Sequence, residues 1–178
     1  MRKIWMPVAV LALAVVLLLG VNGLTQGLRN DIAEKELQAK MELLLPGSTS
    51  FVEEEYTGED SNISVVYKGE TGYVVGTVTQ GYAGPICMLI GVSSDGYVTG
   101  LQVRRMQETP GLGGEALTNW RFMMQFLETE GDATVGENID ALSGATVTSK
   151  AIARSVNSAV AFVTGSDVDS GATSWEVK

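Results

Sequence analysis

The sequence has no histidine and one cysteine, Cys87, and its 12 Lys and Arg are outnumbered by 21 Asp and Glu. Without histidine there is no Ser-His-Asp triad, no Cys-His pair and no His-ligated zinc or haem. One cysteine makes neither an internal disulfide nor an iron–sulfur cluster. No catalytic constellation and no metal site is expected. A net charge of −9 argues against a nucleic-acid partner, whose phosphates need cations. The acids are scattered, which reads as a solvated surface. Cys87 lies in the apolar run Ile86-Cys87-Met88-Leu89-Ile90 and reads as a buried strand cysteine. Any redox activity must therefore be carried by an organic cofactor.

What is present begins with a long apolar run. Arg2 and Lys3 precede an uncharged stretch from Ile4 to Leu28. About 20 helical residues cross a hydrocarbon core. A cleaved signal peptide is the competing reading. No Ala-x-Ala-like cleavage site follows, and the run continues into a helical pattern at Leu24, Leu28, Ile32, Leu37, Met41 and Leu44. The stretch 1–28 is expected to be an uncleaved single-pass anchor. The basic N-terminus places it in the cytoplasm and the following domain outside.

The remainder, 29–164, reads as one α+β domain: an antiparallel sheet packed by helices. A helix from about Leu24 to Leu45 stops at Pro46-Gly47. Strands are expected at Ser50 to Val52, Ile63 to Tyr67, Tyr73 to Thr79, Ile86 to Val92 and Tyr97 to Val103. Asp95-Gly96 suits a hairpin turn. A helix from about Gly114 to Thr129 is expected to bury Leu117, Trp120, Met124 and Leu127. A second, from Ser149 to Val163, presents Ile152, Val156, Ala159, Val160 and Val163 on one face. The tail 165–178 is small, polar and expected to be flexible.

One segment carries chemistry. Asp140-Ala141-Leu142-Ser143-Gly144-Ala145-Thr146-Val147-Thr148-Ser149 opens the last helix. Asp140 and Ser143 are suited to bonding turn amides. Gly144 lets a ligand approach the backbone closely. The hydroxyls of Thr146, Thr148 and Ser149 stand beside free helix amides, whose positive end favours a phosphate. On composition alone, a capped helix without a ligand stays the favoured reading.

Asp-x-x-Ser-Gly-Ala-Thr-x-Thr resembles the flavinylation pattern of FMN-binding domains in the Rnf and Na+-translocating NADH:quinone reductase complexes. In those families a flavin transferase moves FMN from FAD onto a threonine as a phosphoester. The resemblance implies Thr146 as acceptor, with Ser143, Gly144, Ala145, Thr148 and Ser149 around the cofactor. Glu108-Thr109-Pro110-Gly111-Leu112-Gly113 resembles the family's second signature, which lies against the flavin. By itself it is a rigid loop between strand and helix. Gly81-Tyr82-Ala83-Gly84-Pro85 is similar to a third family segment. Tyr82 either stacks on a flavin or covers the sheet, with Gly84 in its turn. Met106 stands where the family often has histidine.

Asp167-Val168-Asp169-Ser170-Gly171-Ala172-Thr173 repeats the core of the first motif, but Ser174-Trp175 follows and no amphipathic helix does. Length favours the Rnf branch of the family over its larger counterpart in the quinone reductase. The resemblance then implies a membrane-anchored, covalently flavinylated carrier on the extracytoplasmic face. It would not be catalytic alone. Its partners would be Rnf subunits A, B, C, D and E and a flavin transferase, in a complex passing electrons between ferredoxin and NAD+ and moving Na+ or H+. A stand-alone flavoprotein of extracellular electron transfer and a non-redox surface domain are the alternatives.

Overall fold

The computed structural model describes residues 32–166 and five isolated positions, 10, 11, 13, 14 and 17. The expected anchor, 1–28, lies outside the described residues apart from those five, and so does the tail from 167, with its repeated motif. Among the described residues no helix is long and apolar enough to cross a membrane. The chain divides into two units, Met1–Ala39 and Lys40–Lys178. In the first, residues 32–39 are helical. The second opens with the helical residues 40–44 (α1), which end before Pro46-Gly47.

The second unit is an α+β fold around a five-stranded antiparallel meander. Its strands are β1 (Val52–Glu54), β2 (Ile63–Lys68), β3 (Gly72–Gln80), β4 (Pro85–Ser93) and β5 (Val98–Met106), neighbouring in chain order. Val, Ile, Tyr and Thr between turn residues explain why these segments are strands, and because both faces of the sheet are covered, β3 and β4 are buried over consecutive residues. Val75, Thr77 and Thr79 face the core from β3 and pair across with Ile90, Met88 and Ile86 of β4. Turn chemistry closes the β4–β5 hairpin: Gly96 has φ +91° and its amide donates to the Ser93 carbonyl at 2.9 Å.

Helix α3 (Thr146–Thr164) covers that face. Ile152, Val156, Ala159 and Val160 are fully or almost fully buried against it. The interface also has a polar seam. The Thr79 hydroxyl meets the Ser155 hydroxyl at 2.8 Å and the Ala151 carbonyl at 3.1 Å. Both groups are buried, so a slide of the helix along the sheet strands them without partners. Asn157 fixes the neighbouring loop by receiving the Ala133 amide and donating to its carbonyl, each at 3.0 Å.

The other face of the sheet is built differently. Met41, Leu44, Leu45, Val74 and Leu89 are buried there, apart from the main core. Gly91 and Gly100 pair across β4 and β5. A Cβ on Gly91 would run into the Leu44 carbonyl oxygen, and one on Gly100 would lie 2.9 Å from the Leu44 Cα. The two glycines form the seat on which the end of α1 rests, and Thr99 Oγ1 donates to the same Leu44 carbonyl at 2.6 Å. Beyond it, Glu70 clasps the chain leaving α1, accepting the Thr49 amide and the Ser50 hydroxyl, each at 3.0 Å.

Three expectations are corrected. The helix from Gly114 to Thr129 is two pieces, a 3-10 turn at Gly113–Leu117 and α2 (Trp120–Met124). Asn119 breaks it by capping α2, its Oδ1 accepting the Phe122 amide at 3.1 Å. The break resets the helical phase. Ala116, Phe122 and Phe126 are buried, while Leu117, Trp120 and Met124 are 56%, 63% and 53% exposed. Cys87 is on a strand as expected but only half-buried. Pleat alternation turns it to the outer face beside Arg105, whose Nη2 lies 3.9 Å from its Sγ. The first strand, expected at Ser50 to Val52, begins at Val52 because Glu70 holds residues 49 and 50.

Gly91→Ala is expected to cost about 1–3 kcal/mol, as overpacking does, and to lower the melting temperature followed by circular dichroism. An unchanged melting temperature would mean that Leu44 is not seated there. Glu70 gives a pH dependence. Its own backbone amide first, then the Ser50 hydroxyl, hold its carboxyl below the ordinary value of 4.5. A carboxyl depressed on folding stabilises the fold above its unfolded pKa, and that stability is lost as pH falls through the folded value. In urea titrations, the stability gap between wild type and Glu70→Gln should be present at neutral pH and close on acidification below about 4.5.

Candidate functional site

Three chain segments converge on one carboxylate. The β3–β4 turn is tight, with the Gly81 amide donating to the Gly84 carbonyl at 2.9 Å. Its Ala83 amide donates to Glu108 Oε1 at 3.1 Å. From the start of α3, Thr148 Oγ1 donates to Glu108 Oε2 at 2.9 Å. Glu108 itself stands in the loop after β5. A Cβ on Gly81 would run into Glu108 Oε1, and one on Gly113 into Thr148 Oγ1. The glycines are needed here for close approach; neither has a positive φ.

Between these segments lies a cleft of about 410 Å³, lined by Tyr82, Glu108, Thr109, Leu112, Gly113, Gly144, Ala145, Thr146, Val147 and Thr148. That volume falls in the range of small-molecule sites. Tyr82, Leu112, Ala145 and Val147 give it apolar walls. At one side is the N-terminus of α3. Its N-cap is Ala145, which makes no side-chain cap, and its first turn carries no acid. The first amides of a helix have no intrahelical acceptor. Those of Thr146, Val147 and Thr148 therefore offer donors to an anion, with the Glu108 carboxylate nearby on the Thr148 hydroxyl.

The three hydroxyls of the motif have different surroundings. Thr146 is exposed at the cleft. Thr148 is 1% exposed, its proton committed to Glu108. Ser149 is fully buried and faces away from the cleft; its Oγ accepts the Leu142 amide and donates to the Ala145 carbonyl, each at 3.0 Å. Ser149 thus shapes the turn that precedes the helix.

Other expected residues also stand outside the lining. Ser143 is exposed and caps nothing, and Asp140 is held through its backbone, its amide donating to Gln125 Oε1 at 2.7 Å. Pro110 and Gly111 lie on the exposed outside of their loop, and Gly84 is buried against Gln107. Thr109, Leu112, Gly113, Gly144, Ala145 and Tyr82 are brought together as the motifs suggest. Val147 and the Ala83 amide are additions that the motifs do not single out. The signal for Val147 is only its place between two hydroxyl residues in the first helical turn.

The cleft suits an aromatic group carrying a phosphate: apolar walls for the rings, free amides for the anion, an exposed hydroxyl beside both. The FMN-binding domain family model matches residues 81–161, from the β3–β4 turn through most of α3. Every residue lining the cleft falls within that match. Over 151 residues the chain is 37% identical to the G subunit of the ion-translocating oxidoreductase complex of Methanosarcina acetivorans, covering 76% of this chain and 78% of that one. The chain belongs to the family of these G subunits. It is 35% identical over 115 residues to the G subunit of the Na(+)-translocating ferredoxin:NAD(+) oxidoreductase complex of Acetobacterium woodii, over 60% of this chain and 53% of that one. It is 39% identical over 99 residues to the G subunit of the proton-translocating ferredoxin:NAD(+) oxidoreductase complex of Clostridium ljungdahlii, over 52% and 53%. The matched segments span about half the length of these last two relatives.

Gly113→Ala should disturb the Glu108 junction, costing about 1–3 kcal/mol in chemical denaturation. In a Thr148→Ala background, which removes the nearest obstructing atom, the same change should cost less. Additive effects of the two changes would show that they do not share this contact.

Proposed function

We propose that this chain is an electron-relay subunit of an ion-translocating ferredoxin:NAD+ oxidoreductase complex, with FMN covalently attached to Thr146. The carrying observation is the contrast between two threonines. Thr146 presents its hydroxyl at the uncapped start of α3, and Thr148 is buried on Glu108. Attachment needs a flavin transferase and FAD. The Thr146 oxygen attacks the FMN phosphorus, a phosphoester P–O bond forms, the pyrophosphate bond to AMP breaks, and the hydroxyl proton leaves to a base of the transferase.

The bound flavin would supply the electron chemistry. The protein's residues have the other tasks. The amides of Thr146, Val147 and Thr148 would receive the phosphate. Such a helix end contributes about 0.3–1 kcal/mol to an exposed anion, and up to about 2 kcal/mol when partly buried. Tyr82, Leu112 and Val147 would cover the ring and exclude water from it. Thr146 is a tether, and a covalent tether prevents loss of the cofactor outside the cell.

The reading includes an anchor at 1–28, the FMN-binding domain at 29–164 on the extracytoplasmic face, and a C-terminal tail at 165–178. It also includes Rnf subunits A, B, C, D and E as partners. The apolar stretch after Arg2 and Lys3 supports the anchor and its orientation. Co-expression of the full chain with a flavin transferase, followed by a denaturing gel viewed under ultraviolet light, tests the attachment. Wild type, Thr148→Val and Thr173→Ala should fluoresce, and Thr146→Ala should be dark. A fluorescent Thr146→Ala band would overturn the assignment.

A further inference from the structure

Resting on the flavin assignment above, we propose that Glu108 sets the reduction potential of this site by holding a fixed negative charge against the cofactor. Among the described residues it is the only acid lining the cleft, and no base lines it. Among the described residues no ion pair involves Glu108. Its charge is met by hydrogen bonds alone, from the Ala83 amide at 3.1 Å and the Thr148 hydroxyl at 2.9 Å. One donor on each oxygen fixes the plane of the carboxylate. Gly81 and Gly113 close in on it from two sides. Rotating it out of the cleft would strand the buried Thr148 hydroxyl without an acceptor.

An electron entering the flavin ring adds one negative charge unless a proton follows it from solvent. A carboxylate held in the same partly desolvated cleft opposes that charge by Coulomb repulsion. The oxidised, neutral ring is not opposed. The effect lowers the affinity for the electron and so the potential. Ala83 and Thr148 act through Glu108 as positioning groups.

The test is a spectroelectrochemical titration of the full chain, co-expressed with a flavin transferase and purified in detergent, with dithionite as reductant. Glu108→Gln keeps the shape and removes the charge. It should load flavin and titrate at a higher potential, by about tenfold in the equilibrium constant per electron, ~59 mV for a one-electron step. Glu108→Ala should shift the same way. Glu108→Asp disturbs the hydrogen bonds more than Gln does but keeps the charge, so its shift should be less than half as large. Glu53→Gln, on the edge strand β1, should leave the potential unchanged. A loaded Glu108→Gln with an unchanged or lower potential overturns the inference, as does an Asp variant that shifts as far as Gln. A wild-type chain without covalent flavin overturns the functional reading and this inference with it.

Discussion

The cleft depends on the two hydrogen bonds accepted by Glu108. They join a hairpin turn, a strand-to-helix loop and a helix start, segments separated by 25 and 40 residues along the chain. None of the three makes a site alone. A charge-assisted hydrogen bond is stronger than a neutral one, so each contact also resists the fluctuation of its loop. Small residues beside the carboxylate are the other half of this constraint. Any side chain at Gly113 would occupy the space in which Thr148 and Glu108 meet.

The helix reaches that meeting point because its position along the sheet is fixed elsewhere. Apolar packing by Ile152, Val156 and Val160 is non-directional and tolerates sliding. The contacts of Thr79 with Ser155 and Ala151 do not. They set the register of α3 within the core, about two turns from Thr148. The far end is closed by Gly165 in a left-handed cap, its amide donating to the Ala161 carbonyl at 2.8 Å. With the C-terminal end satisfied and the N-terminal end left without a side-chain cap, the helix presents its free donors only at the cleft.

The sheet is legible in the sequence. β2 to β5 fall close to their expected bounds, because runs of Val, Ile, Tyr and Thr and the turn residues between them are local signals. The start of α3 is legible as an anion-friendly segment, and Thr146 emerges from a family resemblance. The long helix misleads because its periodicity runs across Asn119, a residue whose capping bond starts a new helix. Ser143 and Ser149 carry the right chemistry for a cap or a ligand, yet one is solvated and the other is spent on the preceding turn. The bond between Thr148 and Glu108 leaves no local pattern. It follows only once the meander has brought the loops together.

The Gly91–Gly100 seat has a structural consequence. The chain arriving from residue 40 is received by the outer face of β4 and β5 through the backbone of Leu44. A side chain at either glycine would lift that backbone off the strands, so this contact depends on the absence of two Cβ atoms. The entry of the chain and the cleft thus use opposite faces of one sheet, so the packing that receives Leu44 and the packing that places α3 are built from different residues.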